Sequence, residues 1–263
     1  MPPATCWGLL AVYVERGSAM ATVVMVEGTG SRSSRPDGLG LLSAVADKLD
    51  RGIDRVSVDY PGAYGWPISY HDSLIRGTAT ALGAIDRAPG PVYLVGYSQG
   101  AVIAGHCADH SKVERTYLIS DPHRPRRRYI GNVDPGGYGL AGEVFRAGLM
   151  IHYFAASDDP ITSAPPDSIL RSVADFTRFM SPDLGTWLAS IDRTIREQAW
   201  QNVQRRPLSA LDEWRRVREA GRELSRYPRR HIDPYIREHI PGTSLTPCEW
   251  IAASINELVR TSR

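Results

Sequence analysis

Residues 91–101, PVYLVGYSQGA, place a serine between two glycines directly after an apolar run. An apolar, β-branched run of this length is typical of a buried strand. A serine flanked by glycines is needed where a strand turns sharply into a helix, because the strained backbone leaves no room for side chains beside it. The segment therefore predicts a strand, a tight turn that presents the hydroxyl of Ser98, and a following helix.

The rest of the chain alternates between strand and helix patterns. Strands are predicted at 21–26, 55–60, 91–95, 115–120 and 148–156, and helices at 41–49, 72–85, 99–110 and 249–259. This order implies right-handed crossovers between parallel strands. We therefore predict an α/β fold with a mostly parallel central sheet and helices on both faces.

One segment breaks this alternation. Residues 181–226 contain no strand pattern but carry two apolar stripes with helical spacing. We interpret them as a helical insertion that covers or flanks the serine. The core is then formed by residues 1–180 and 227–263, and the arginine-rich faces of the insertion are interpreted as solvated helix surfaces.

The composition argues against several classes of protein. A formal net charge of +2 gives no strong field for nucleic acid, and no apolar run approaches the roughly 18 residues of a membrane-spanning helix. Cys6, Cys107 and Cys248 are too few and too scattered for a disulfide framework. Without CxxC or HExxH spacing a zinc site has no support. We expect a monomer that needs neither a metal nor an organic cofactor.

A serine hydroxyl is a weak nucleophile until a base takes its proton, and the base needs an acid to orient it. Where the serine stands at such a turn, the acid and then the histidine follow it along the chain. Residues 155–160, AASDDP, supply two acids after the fifth predicted strand. We favour Asp159, which precedes Pro160 in the turn, and keep Asp158 as the alternative.

Two late histidines, His231 and His239, are candidates for the base. Both are predicted to lie between the helical insertion and the last helix, and we favour His231. The other five histidines are interpreted as surface or packed side chains: His71, His106, His110, His123 and His152.

An oxyanion hole needs two hydrogen-bond donors, usually backbone amides. One amide is predicted from Gln99, the residue after the serine. The other is predicted from Thr29, in the glycine-rich loop that follows the first strand. The hydroxyl of Thr29 is a further donor.

Four short blocks resemble the mycobacteriophage lysin B enzymes: VEGTG, GYSQGA, DPGGYGLAG (134–142) and the late HIDPY…PGT. These enzymes are cutinase-like α/β-hydrolases that hydrolyse the ester joining mycolic acids to arabinogalactan. The resemblance implies this fold and a serine carboxylic-ester hydrolase that aids host lysis. It also implies a triad of Ser98, Asp159 and His231, with Thr29 and Gln99 lining the oxyanion hole.

Three features depart from the related families. Lysin B proteins often carry His-Gly-Thr-Gly after the first strand, and Glu27 replaces that histidine. The three cysteines do not reproduce the paired disulfides of secreted cutinases. Only about 20 residues precede the first strand, so we expect the peptidoglycan-binding module that begins some lysin B proteins to be absent.

The short apolar stretch near the N-terminus lacks the preceding basic residues of an export signal. We therefore expect synthesis in the host cytoplasm and action at the bacterial cell envelope during lysis. Two other functions stay open. One is a general cutinase-like lipid esterase acting on short acyl chains, and the other is a catalytically inactive hydrolase fold that binds an envelope polymer through its arginines.

Overall fold

The computed structural model describes residues 21–30, 36–146, 149–168, 170–171, 218, 227 and 229–262. Within them lie five strands: β1 (Ala21–Val26), β2 (Ile53–Ser57), β3 (Val92–Tyr97), β4 (Val113–Ile119) and β5 (Ile151–Phe154). The same residues contain five helices: α1 (Ser43–Ala46), α2 (Tyr70–Arg87), α3 (Gln99–His106), α4 (Asp233–Arg237) and α5 (Pro247–Thr261).

The strands form one parallel sheet in the order β2-β1-β3-β4-β5. The chain passes from β1 to its neighbour β2 and then returns to the other side of β1 as β3. The carboxyl ends of β1 and β3 therefore flank the point where the winding direction reverses, which is where open parallel sheets bind ligands. Residues 27–29 follow β1 at this point, and Ser98 follows β3.

Helices cover both faces of the sheet because the central strands are apolar on both sides. All six residues of β1 are buried, as expected for a central parallel strand. Val23 and Met25 belong to a core cluster shared with α1 and α5, whereas Val24 and Val26 belong to a second cluster shared with α2 and α3. The predicted α/β fold with a parallel sheet is confirmed.

Some element boundaries differ from the predictions. β2 occupies 53–57 rather than 55–60. Its ladder with β1 ends at the pair Met25 and Ser57, because β1 ends at Val26 and the chain after Ser57 continues beyond the end of β1. β5 occupies 151–154 rather than 148–156, since its ladder with β4 covers only four residues.

The helix after the serine is also shorter than predicted. It ends at His106 instead of residue 110, because the amide of Cys107 bonds to the carbonyls of both Ile103 and Ala104 at 3.2 Å and tightens the last turn. His110 therefore lies in the connection to β4, not on the helix.

The last helix is fixed to an early part of the chain. Thr246 and Glu249 form a capping box at its first turn. The side chain of Asn256 accepts a hydrogen bond from the amide of Asp50 at 2.9 Å and donates to the carbonyl of Lys48 at 3.0 Å. These bonds hold the C-terminal segment against the residues that follow α1.

The predicted helical insertion at 181–226 lies outside the described residues except for Arg218, and Cys6 lies outside them as well. Cys107 and Cys248 are buried free thiols. None of the helices in the described segments is long and apolar enough to cross a membrane.

Candidate active site

Ser98 stands at the turn between β3 and α3 with φ 55° and ψ −119°, a conformation that residues with a side chain rarely adopt. Both glycines of the motif lie against neighbouring backbone. A Cβ on Gly100 would overlap the carbonyl oxygen of Val26, and a Cβ on Gly96 would lie 2.7 Å from the Cα of Ala101. The turn that presents the hydroxyl therefore requires glycine at both positions.

The structure brings Ser98, His231 and Asp159 together. Oγ of Ser98 lies 3.0 Å from Nε2 of His231, and Nδ1 of His231 lies 3.1 Å from Oδ1 of Asp159. All three side chains are buried. These are hydrogen-bond distances, so the imidazole can accept the serine proton while the carboxylate holds the other ring nitrogen.

The two alternative residues lie elsewhere. Asp158 forms an ion pair with Arg230, whose Nε is 2.7 Å from the Oδ2 of that aspartate. His239 is exposed. The favoured acid and the favoured histidine are therefore the ones that meet the serine.

The carboxylate of Asp159 is fully buried and receives several hydrogen bonds. Its Oδ2 accepts from Oγ of Ser120 at 2.5 Å and from the hydroxyl of Tyr235 at 2.6 Å, and its Oδ1 accepts from the amide of Ile161 at 3.0 Å. Burial alone would raise the pKa of Asp159, but the attraction of His231 and these hydroxyl donors outweigh it and hold the pKa below its usual value. Asp159 is therefore ionised at neutral pH.

Aromatic rings pack against the imidazole of His231. The ring centroids of Tyr97 and Tyr227 lie 5.0 Å and 4.8 Å from that of His231. The hydroxyl of Tyr97 also donates to the backbone carbonyl of His231 at 2.9 Å. Burial raises the pKa of both tyrosines, that of Tyr227 to about 12. Both rings are therefore neutral packing partners that restrict rotation of the imidazole.

Sequence reasoning missed four residues that surround the acid and the histidine: Tyr97, Ser120, Tyr227 and Tyr235. Ser120 directly follows β4, so the tendency of functional side chains to follow strand ends was a usable signal. Tyr235 belongs to the HIDPY block, although nothing local to that block indicates a role for its hydroxyl.

The two predicted oxyanion residues are neighbours. The hydroxyl of Thr29 donates to Oε1 of Gln99 at 3.2 Å, and Nε2 of Gln99 donates to the carbonyl of Ala63 at 3.1 Å. Gln99 begins α3, and the N-terminal end of a helix carries partial positive charge. Both residues line the same cavity as Ser98.

Glu27 occupies the position at which lysin B proteins often have a histidine. In this structure its carboxyl group has a structural role. Its Oε1 accepts from the amides of Gly40 and Leu42, each at 2.7 Å. Burial raises the pKa of Glu27, although these backbone donors oppose the rise. The carboxyl group therefore anchors the turn before α1 to the end of β1, next to the loop that carries Thr29.

A cavity of about 360 Å³ opens onto Ser98. Its wall is mainly apolar and aromatic and includes Tyr70, Leu74, Leu140, Ala141, Ile161 and Tyr227. His123, interpreted from the sequence as a surface or packed side chain, also lines it. Among the described residues, no group of three or more histidine, cysteine or acidic side chains is arranged to hold a metal ion.

Two fully buried arginines, Arg124 and Arg171, fix the loops beside this cavity. Arg124 donates to five backbone carbonyls at 2.6–3.4 Å: Pro125, Arg128, Gly136, Gly137 and Thr162. Arg171 donates to five others at 2.7–3.4 Å: Tyr138, Gly139, Leu140, Ala164 and Pro165. The block DPGGYGLAG is thereby tied to the segment that carries Asp159.

The model of the Alpha/beta hydrolase family matches residues 23–252, which is most of the chain. The chain belongs to this family. As in other α/β hydrolases, the serine stands on a strand-to-helix turn, an acid follows a later strand, and the histidine comes last in chain order.

Solved structures of other proteins are similar to the chain at low sequence identity. Lysin B from Mycobacteriophage D29 gives a TM-score of 0.55 at 17% identity, and the match covers 92% of this chain and 99% of that one. The catalytic core domain of acetyl xylan esterase from Trichoderma reesei gives 0.45 at 19% identity, covering 72% and 100%. A cutinase-like protein from Cryptococcus sp. gives 0.43 at 16% identity, covering 68% and 91%. No curated protein sequence matches the chain.

Proposed function

We propose that this α/β hydrolase is a serine esterase in which Ser98 is the nucleophile, His231 the base and Asp159 the orienting acid. The observation that carries the proposal is the 3.0 Å approach of the serine hydroxyl to Nε2 of His231, at a strained turn and with Nδ1 held by a buried carboxylate. A hydroxyl in this arrangement is activated for attack on an ester carbonyl.

The reaction follows from this geometry. His231 takes the proton of Ser98 as the oxygen attacks the ester carbon, and it gives that proton to the departing alcohol. Water then attacks the acyl-serine in the same way and releases the acid. Asp159 holds the tautomer of His231 that leaves Nε2 free to accept and stabilises the imidazolium. The amides of Thr29 and Gln99 stabilise the tetrahedral oxyanion.

The proposed substrate is the ester between mycolic acids and arabinogalactan in the actinobacterial envelope. The sequence blocks shared with lysin B enzymes support this choice, and so does the fold likeness to lysin B from Mycobacteriophage D29 over 92% of the chain. On this proposal the protein is a monomeric phage endolysin. It is made in the host cytoplasm and acts at the envelope during lysis.

A general cutinase-like lipid esterase is the second candidate function. The cavity beside Ser98, about 360 Å³, lies at the small end of the range of about 300–1,000 Å³ for small-molecule pockets. Its apolar wall suits a short or medium acyl chain.

Two measurements test these proposals. A fluorophosphonate probe should label Ser98 in the folded protein, and the protein should release free mycolic acid from mycobacterial envelope preparations. Failure of the probe to label Ser98 would contradict the esterase proposal. Hydrolysis of short p-nitrophenyl esters without release of mycolic acid would reject the envelope substrate and favour the general esterase.

The cavity gives a separate prediction about acyl length. Ala141 lines the cavity, and tryptophan there would fill space that an acyl chain needs. An acyl chain that loses the contacts of three or four methylene groups loses about 0.8 kcal/mol of binding free energy for each. This corresponds to about a 10²-fold decrease in kcat/KM. We therefore expect Ala141→Trp to lower kcat/KM for a decanoyl ester by about 10²-fold and to affect the acetyl ester much less.

Val133→Trp is the matched control, because Val133 is exposed and does not line the cavity. It should leave both esters unchanged. If Ala141→Trp lowered the rates on acetyl and decanoyl esters equally, the cavity would not be the acyl site.

A further inference from the structure

The hydroxyl groups around Asp159 approach it more closely than the histidine does. Oδ2 of Asp159 is 2.5 Å from Oγ of Ser120 and 2.6 Å from the hydroxyl of Tyr235, but 3.2 Å from Nδ1 of His231. A fully buried carboxylate needs hydrogen-bond donors to stay ionised, and here two hydroxyls supply them on Oδ2 while His231 approaches both oxygens at longer distances. Charge-assisted bonds of this length are among the strong ones in proteins.

These donors come from separate parts of the fold. Ser120 follows β4 and has φ 52°, and its Oγ also lies 3.1 Å from Nδ1 of His231. Tyr235 belongs to α4, is almost fully buried, and accepts a hydrogen bond from the amide of Ala156 at 3.3 Å. Neither residue lines the cavity beside Ser98. Any influence they have on the reaction must therefore act through Asp159 and His231.

We propose that Tyr235, assisted by Ser120, is a positioning residue that limits how strongly Asp159 attracts a proton on His231 and thereby sets the pH range in which His231 acts as a base. The inference rests on the proposed esterase function. The two hydroxyls draw charge from Oδ2, and a carboxylate with less charge stabilises a neighbouring imidazolium less. Without them, Asp159 would hold protonated His231 more tightly.

The other groups near this pair do not offer a competing explanation. Tyr97 and Tyr227 pack on the imidazole, and burial raises the pKa of both. Arg230 forms ion pairs with the carboxylates of Asp158 and Glu238. Burial, together with the charge of Asp159, raises the pKa of Tyr235 well above its usual value, so its hydroxyl keeps its proton throughout an assay range of pH 5 to 9.

Tyr235→Phe tests the proposal because it keeps the ring and removes only the hydroxyl. The acidic limb of the kcat/KM profile reports protonation of the base in the free enzyme. We expect this limb to move to higher pH by about one unit in Tyr235→Phe, measured with a p-nitrophenyl ester. Ser120→Ala should move it in the same direction, which gives a second measurement if the tyrosine variant folds poorly.

The control is Tyr117→Phe. Tyr117 is a fully buried tyrosine of the same core cluster, and its hydroxyl lies 3.0 Å from Oγ of Ser254, away from Asp159. It should lower the melting temperature through loss of one hydrogen bond and leave the acidic limb in place. A uniform loss of kcat/KM in Tyr235→Phe and Ser120→Ala, with the limb unmoved, would overturn the positioning role. A wild-type protein without esterase activity would instead overturn the proposed function.

Discussion

Replacing Ser98 by alanine should lower the turnover of carboxylic esters by about 10⁶-fold. The variant removes the oxygen that lies 3.0 Å from Nε2 of His231, so no acyl-enzyme can form. The cavity and the backbone amides at the turn remain, and they account for the residual rate over water in such variants. The measurement is the steady-state hydrolysis of a p-nitrophenyl ester by purified protein.

Folding should be nearly unaffected, because among the described residues the hydroxyl of Ser98 bonds only to the imidazole of His231. Alanine fits the same turn as well as serine does. Ser43→Ala, which removes an exposed hydroxyl on α1, is the control and should keep full activity. If Ser98→Ala retained more than a small fraction of the wild-type rate, another nucleophile would have to be sought.

Replacing Arg124 by methionine should lower the free energy of unfolding by about 3–5 kcal/mol. The guanidinium is fully buried and donates to five backbone carbonyls from three stretches of chain, at 125–128, 136–137 and 162. Methionine has a similar length but no donor, so the carbonyl of Thr162, whose bond to Arg124 is buried, would lose this partner, and the part-buried bonds to Arg128, Gly136 and Gly137 would be lost as well. Urea denaturation of the purified variant measures the change.

Arg126→Met is the matched control for this prediction. Arg126 lies on the same loop, but its side chain is half exposed and pairs with Glu143 at 3.3 Å. Loss of such a surface pair costs at most about 1 kcal/mol. Equal destabilisation by the two variants would mean that burial of Arg124 among carbonyls is not what holds the loop.

The sequence contains enough information to locate the sheet and the three residues that meet at its edge. Central strands such as β1 and β3 are buried on both sides, so their apolar runs stand out. The serine is found because its turn imposes a local rule, glycine at 96 and 100, and the overlaps at those positions give the physical reason for that rule. Asp159 is predicted as the acid because it follows the fifth strand, and the structure places it next to His231.

The residues that sequence reasoning missed form hydrogen bonds to partners that are distant in the sequence. Ser120 and Tyr235 reach Asp159 across 39 and 76 residues, and no local pattern distinguishes these hydroxyls from others in the chain. Arg124 looks like part of a basic surface run in the sequence, PHRPRRR. Only the tertiary structure reveals that it is buried while Arg126 is exposed.

The separation of 133 residues between Ser98 and His231 has a consequence for how the protein is made. A ribosome that translates the chain releases the strained turn long before it releases the imidazole. The bonds from Asn256 to Lys48 and Asp50 arrive later still. On the proposed mechanism, a nascent or prematurely terminated chain that ends before His231 therefore lacks the base and has no esterase activity, although its serine turn has already been made.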